Sequence, residues 1–457
     1  MTADSSTLSN TPPSNAPASN ALSWPDDASR SAALYQRARA VMPSGSSRLT
    51  IFFKPYPVYA ASGEGAYVTD VDGVRRADFI NNYSSLIHGH RPPQVMAAVT
   101  EQLGKLTAVG LPTESEIALA ELLAERLAGV DQVRYANSGT EAVMMAIKAA
   151  RAFTGRPKIA KVEGAYHGGY DHAEVSQTAL PDGWGDPAAP TPTPTYAGQP
   201  KGVLEDVVVL PWNDVTASRA LLEAHAGELA AVLIDPLPSR VGFVPIAADY
   251  LAMVREVSAK AGALLILDEV YNLRLGYHGA QGKFGVVPDL TTLGKIIGGG
   301  FPVGAVGGRA EVMSVFGFDA GRPRVPHGGT YNANPVTMTA GLTTLQMLPP
   351  QAFTRLAALG ERLREGLRRT LADRGLAGQV TGDESFAMLS LSDRPIRTYR
   401  DLVYAAGFAE AQAKVHAVLM NRGILTSPSL VFTLSTPMDE ALVDQVVTEV
   451  GAALGAI

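Results

Sequence analysis

Cysteine is missing from the chain altogether, which excludes disulfides, zinc–thiolate sites and a cysteine nucleophile. Its absence fits a reducing compartment, and the expected location is the cytoplasm. Positive charge is also scarce: 38 Lys and Arg against 44 Asp and Glu leave a formal charge of -6. No basic stripe interleaved with aromatics runs through the sequence, so a nucleic-acid partner is not expected. Long apolar runs are lacking too. No stretch reaches the ~20 unbroken apolar residues of a membrane-spanning helix, and the N-terminus has no basic segment leading into an apolar one, as a signal peptide would. A membrane partner is therefore not expected either.

What is present reads as a compact enzyme. The 457 residues are 46% hydrophobic and 18% charged, with 45 Gly and 31 Pro, a length that suits two packed domains of unequal size. Residues 1–26 are rich in Ser, Thr, Asn and Pro and read as a disordered tail. Residues 27–90 are expected to form the N-terminal part of a small domain, with a helix from near Asp27 to before Pro43-Ser44-Gly45 and an antiparallel unit over Tyr59–Phe79. Further helices are expected over Pro92–Leu103 and Glu116–Leu127.

Within residues 91–345 the pattern turns to βα units. Strands are expected at Val133–Tyr135, Ile159–Val162, Val207–Leu210, Ala231–Ile234, Leu264–Leu267, Leu290–Leu293 and Ala305–Gly307, with helices at Glu141–Phe153 and Tyr250–Ala261 between them. Short apolar strands alternating with helices imply an α/β fold with a mostly parallel sheet covered on both faces. Ligands of such sheets lie at the carboxyl ends of the strands. Gly185–Gly202 reads as a long surface or active-site loop. Residues 346–457 are expected to supply the C-terminal part of the small domain, with helices over Phe353–Ala372 and Tyr399–Asn421 and strands at Phe386–Leu391 and Val431–Ser435.

The chemistry-bearing residues cluster at those strand ends. Lys295 follows a buried strand and precedes Gly298-Gly299-Gly300, which leaves room for a planar ligand. A lysine so placed can form a Schiff base with a carbonyl cofactor and then move a proton; alone, it could equally be a surface lysine before a loop. The glycines follow the lysine rather than precede it, so the segment is no P-loop. Asp268 ends the apolar run Ala263–Leu267, where its carboxylate could pair with a protonated pyridine nitrogen, or serve only as a helix cap or metal ligand. Asn137-Ser138-Gly139-Thr140-Glu141 joins a strand to a helix, and its hydroxyls and amides suit a phosphate. Ser138 and Glu141 also have capping-box spacing. Tyr166, in Tyr166-His167-Gly168-Gly169, offers a ring for stacking or merely packs in the core.

Together these motifs resemble the fold-type I PLP (pyridoxal 5′-phosphate) enzymes, and within them the class III aminotransferases. The likeness is strongest to the branch holding glutamate-1-semialdehyde 2,1-aminomutases and β-amino-acid aminotransferases, and it runs from about Tyr35 to the C-terminus. The resemblance implies a large PLP-binding domain with a small α+β domain. It also implies a homodimer and a ping-pong aldimine mechanism that moves an amino group from an amino acid, a β-amino acid among them, or an amine to a 2-oxo acid. By the same likeness Lys295 carries the cofactor, Asp268 partners its ring nitrogen, and Ser138, Gly139 and Thr140 form the phosphate cup. Tyr166 and Val270 cover the two ring faces, and Thr330, in Gly329-Thr330-Tyr331, reaches the neighbouring subunit's phosphate. Arg48, in the loop after the first helix, is similar to an arginine that binds a substrate carboxylate, with Phe52, Phe53 or Tyr56 as an apolar wall; a plain surface arginine is the alternative.

The chain departs from the family pattern at Asp235-Pro236, where Glu-Pro is common, and at the following Leu237-Pro238-Ser239-Arg240. It departs again at Tyr271-Asn272-Leu273-Arg274. An intramolecular aminomutase of the glutamate-1-semialdehyde type, which shares the cofactor chemistry, stands as the second reading, and a PLP-binding protein without turnover as a third. The altered segments at Asp235-Arg240 and Tyr331-Pro335 favour transfer between molecules.

Overall fold

The computed structural model describes residues 23–319 and 321–456. The tail expected over residues 1–26 lies outside the described residues as far as residue 22. From Ser23 the chain is described, and Trp24 is buried with its indole N–H donating to Tyr56 O at 3.0 Å. Two compact units divide the chain: Met1–Ala61 with Thr69–Val74, and Ser62–Val68 with Arg75–Ile457.

In the first unit, helix α1 (Arg30–Val41) starts at Ser29, whose hydroxyl accepts from Ala32 N. Asp72 ties down its opening turn by accepting from Arg30 N, Ser31 N and Ser31 Oγ. A carboxylate at that end also complements the helix dipole.

The second unit is organised by a seven-stranded sheet: β1 (Gln132–Ala136), β2 (Lys158–Val162), β3 (Val207–Leu210), β4 (Leu229–Ile234), β5 (Leu264–Asp268), β6 (Leu290–Gly294) and β7 (Gly304–Gly308). The spatial order is β1-β7-β6-β5-β4-β2-β3. Pairings β6–β5, β5–β4, β4–β2 and β2–β3 are parallel, whereas β7 is antiparallel to both of its neighbours. Every residue of β4 and β5 is buried, because helices cover both faces and each side chain removed from water adds roughly 1.5–3 kcal/mol.

The glycine content of β7 has a packing cause. A Cβ on Gly304 would sit 1.9 Å from Ser138 O, and one on Gly308 2.7 Å from Asp289 O. At Gly304 the strand must be bare for the turn that opens helix α2 (Gly139–Thr154) to lie against it, and at Gly308 for the start of β6 to do so.

The C-terminal third adds a small antiparallel sheet of Gly378–Thr381, Phe386–Leu391 and Val431–Thr433. The N-terminal strand Arg75–Asp78 pairs in parallel with Ile424–Leu425, and Asn81 Nδ2 donates to Thr433 O at 2.8 Å. The single helix expected over Tyr399–Asn421 is two helices, Tyr399–Ala405 and Ala409–Asn421, parted by a 3-10 turn at Ala406–Phe408. Gly407 at the break is a poor helix former. The expected loop Gly185–Gly202 opens as a short hairpin, Gly185–Asp186 against Ala189–Pro190, held by Arg400, which donates to Trp184 O and Gly185 O.

Candidate active site

The carboxyl ends of β2, β4, β5 and β6 deliver the groups singled out in the sequence. Asp268 closes β5 and is buried. Its Oδ2 accepts from His167 Nδ1 at 2.7 Å, while Oδ1 accepts from Val270 N at 3.0 Å and Thr292 Oγ1 at 3.0 Å. Burial alone would raise its pKa, but the His167 hydrogen bond and charge, with the Val270 and Thr292 donors, hold it below the ordinary carboxylate value. The result is an anion kept charged inside a low-dielectric edge.

Lys295 follows β6 directly, with a left-handed backbone at φ 49°. A non-glycine residue held there costs of order 1–3 kcal/mol, a strain that collects at working sites. Burial pushes its pKa down to about 8, against the upward pull of Asp268 and Asp235. Its Nζ lies 4.8 Å from the centre of the Tyr271 ring, and that ring stacks on Phe386.

Ser138 caps α2, its Oγ accepting from Glu141 N at 3.1 Å, and the Glu141 carboxylate turns back to accept from Asn137 N. Capping and phosphate binding coexist here, since a hydroxyl that accepts from an amide keeps its O–H for a phosphate oxygen. Gly139 has no room for a side chain: a Cβ would meet Val270 Cγ1 at 2.8 Å. Thr140 Oγ1 accepts from Gly169 N at 3.3 Å, joining the turn to the Tyr166–Gly169 loop. Tyr166 is 47% exposed, so it is not a core tyrosine. Thr330 is exposed, in a loop steadied by Asn137 Nδ2 donating to Asn332 Oδ1 at 2.8 Å.

Arg48 belongs to the other compact unit, on an exposed stretch where its amide donates to Ser46 Oγ at 3.1 Å. Tyr56, offered as an apolar wall beside it, is a buried core residue of that unit and packs edge-on against Trp24.

Three buried neighbours of the site stand in short segments of the sequence that did not by themselves assign them a role. His167 is buried and positions Asp268 from 101 residues away; its only signal was its place beside Tyr166 in a quoted motif. Asp235, at the end of β4, is pushed up to about 7 by burial and then by the Asp268 charge, and Asn272 Nδ2 donates to it. Glu269 is likewise pushed up to about 7 by burial, against donors from Gln281 and Ala280.

The site fits a flat, phosphate-bearing, cationic-ring cofactor on this chain's own features. Bare glycines line the α2 turn, a charged carboxylate ends β5, and an amine of lowered basicity follows its neighbour β6. On the carboxyl edge of a mostly parallel sheet, that chemistry defines a PLP-dependent transferase of fold type I. The comparisons carry the assignment further. The class-III aminotransferase model matches residues 53–431, and the chain belongs to that family. It is a PLP-dependent enzyme that moves amino groups. It is 39% identical over 416 residues to the β-phenylalanine transaminase of Variovorax paradoxus, covering 91% of this chain and 90% of that protein. Against a glutamate-1-semialdehyde 2,1-aminomutase of Methanothermobacter thermautotrophicus it is 40% identical over 373 residues, covering 81% and 86%. Among solved structures, an omega-transaminase from Sphaerobacter thermophilus superposes with a TM-score of 0.91 at 52% identity, over 94% of this chain and 98% of that one.

Proposed function

We propose that this enzyme transfers an amino group between molecules, from a β-amino acid of the aryl-substituted kind to a 2-oxo acid. The observation that carries transfer between molecules is the 52% identity to an omega-transaminase along almost the whole chain, and the aryl β-amino acid rests on the 39% identity to a β-phenylalanine transaminase. Among the described residues no helix is long and apolar enough to cross a membrane, and the proposed location is the cytoplasm.

When bound, PLP supplies an aldehyde that condenses with amines and a ring that withdraws electrons. Ser138, Gly139 and Thr140 hold its phosphate at the α2 N-terminus. Asp268 keeps the ring nitrogen protonated, and His167 fixes that carboxylate. Tyr166 and Val270 cover the ring faces. Lys295 Nζ carries the cofactor between turnovers and moves the proton of the substrate carbon during them. Arg48 holds the donor's carboxylate by charge-assisted hydrogen bonds.

A donor-exchange assay tests both the reaction and Arg48. With nitrogen-labelled β-phenylalanine and pyruvate or 2-oxoglutarate, labelled alanine or glutamate is expected. Conversion of glutamate-1-semialdehyde with no label leaving the donor would instead establish the aminomutase. In the same assay Arg48→Ala lowers the efficiency ratio of β-phenylalanine to 1-phenylethylamine by roughly 10–100-fold. An unchanged ratio removes Arg48 as the clamp.

We also propose a homodimer in which Thr330 completes the partner's phosphate site. Leu111, Ile117, Phe318 and Tyr331 are exposed, large apolar side chains that a second subunit would cover. Ile117 and Phe318 flank a cavity of about 700 Å³. Dilution to monomer is then expected to release PLP in step with lost activity, read by sedimentation with cofactor absorbance. A monomer that retains PLP undiminished sinks the shared site.

A further inference from the structure

We propose that Arg240 is the anchor for the carboxylate of the 2-oxo acid acceptor. The inference rests on the amino transfer to a 2-oxo acid proposed above and assigns the group that recognises that acid.

In the sheet β4 lies between β5, which carries Asp268, and β2, which leads to Tyr166. The chain leaving β4 runs Asp235-Pro236-Leu237-Pro238-Ser239-Arg240, so Arg240 emerges on the same edge. Its backbone is pinned in a 3-10 turn (Ser239–Val241) by Val241 N donating to Pro238 O at 3.0 Å and Phe243 N to the same oxygen at 3.2 Å. The guanidinium carbon lies 5.4 Å from the centre of the Tyr166 ring. Its hydrogen bond is a long one, from Nη1 to Gln177 O at 3.4 Å. The planar donor fork is thus held beside an exposed aromatic face with most of its hydrogen-bonding capacity unspent.

The charges around it lack an anion for it. Lys161 lies buried close enough to feel the Arg240 charge, its Nζ donating to Val175 O at 2.8 Å. Glu163, the nearby carboxylate, is taken by Arg400 through two bonds of 2.8 and 3.0 Å. Asp268 is committed to His167, Asp235 to Asn272 and the Leu237 amide, and Glu269 to Ala280 and Gln281. Among the described residues no carboxylate pairs with Arg240. A half-buried guanidinium without a counter-ion calls for an anion from outside, and a carboxylate matches its fork with two parallel bonds.

The acceptor half-reaction isolates this contact. Protein loaded directly with pyridoxamine phosphate is mixed with pyruvate or with propanal, which lacks the carboxylate, and the return of the visible absorption of lysine-bound PLP is followed. Arg240→Gln is expected to raise the half-saturating pyruvate concentration so that the pyruvate-to-propanal efficiency ratio falls about 10–100-fold. Arg240→Lys should recover part of that ratio, and retention of pyridoxamine phosphate on gel filtration should match wild type. Equal losses for both carbonyl compounds, no change in the ratio, or weakened cofactor retention would each overturn the assignment. Wild-type protein inert to pyruvate and 2-oxoglutarate alike would overturn the proposed reaction and this inference with it. An active wild type with an unchanged ratio in Arg240→Gln sinks the anchor alone.

Discussion

Lys295→Ala is expected to lower turnover by at least ~10²–10⁴-fold, the share that positioned acid–base catalysis contributes. Two properties of the residue set this size. Its amine is pushed down to about 8 by burial, with Asp268 and Asp235 pulling it back, so a useful fraction is unprotonated near neutral pH and can attack a carbonyl. Its backbone is held at φ 49°, which fixes where the chain presents the side chain; no neighbouring lysine on the edge can take its place. Lys161, the other buried lysine there, spends its amine on two backbone carbonyls. The sign of the pH dependence follows: capture of added PLP by the wild-type amine speeds up as pH rises through about 8 and levels off above it. Borohydride reduction of the loaded enzyme and peptide mapping check the site. A pyridoxyl group on Lys161 or any lysine other than Lys295 would reject the assignment, and a Lys295→Ala variant with near-parental turnover would reject the role.

The parts of this site that could be read in the sequence are those written in short stretches. Asp268 follows the apolar run Ala263–Leu267 and Lys295 follows the short segment Leu290-Thr291-Thr292-Leu293-Gly294, both too short for a helix and bounded by turn residues, so both fall on the sheet edge. The seven strands stand within two residues of their expected ends for the same reason. Helix starts were less legible. The helix expected from Glu116 begins at Glu114, because Thr113 and Glu116 form a capping box whose signal is one hydroxyl at the right spacing. The antiparallel direction of β7 could not be read, since Gly-Ala-Val-Gly-Gly carries no trace of orientation; its partners on both sides settle it. The charge balance was out of reach too. Asp268 stays ionised because His167, distant in sequence, donates to it, and Asp235 is raised first by its burial and then by the Asp268 charge on the same edge. These are properties of pairs that only the fold brings together.

Asp268→Asn should retain PLP through the α2 turn yet lose about 10²–10³-fold in turnover, the equivalent of breaking a buried ion pair. The amide has the shape of the carboxylate, and its oxygen can still accept from Val270 N and Thr292 Oγ1. Two things change. The site loses the carboxylate that its hydrogen bonds hold charged, whereas Asp235 and Glu269 are both pushed up to about 7. His167 Nδ1, which donates to Oδ2 at 2.7 Å, then faces an amide that supplies no negative charge. Neither Asp235 nor Glu269 can substitute: the first is bound by Asn272 and Leu237 N, the second by Ala280 and Gln281. A variant limited by the ring nitrogen has a distinct signature. It should bind PLP with the affinity of wild type and capture it on Lys295, but abstract the substrate proton slowly, so that a deuterium isotope effect at the donor carbon grows. Loss of PLP binding would mean that the carboxylate serves mainly to build the pocket. Turnover close to the parent enzyme would mean that some other group holds the ring nitrogen.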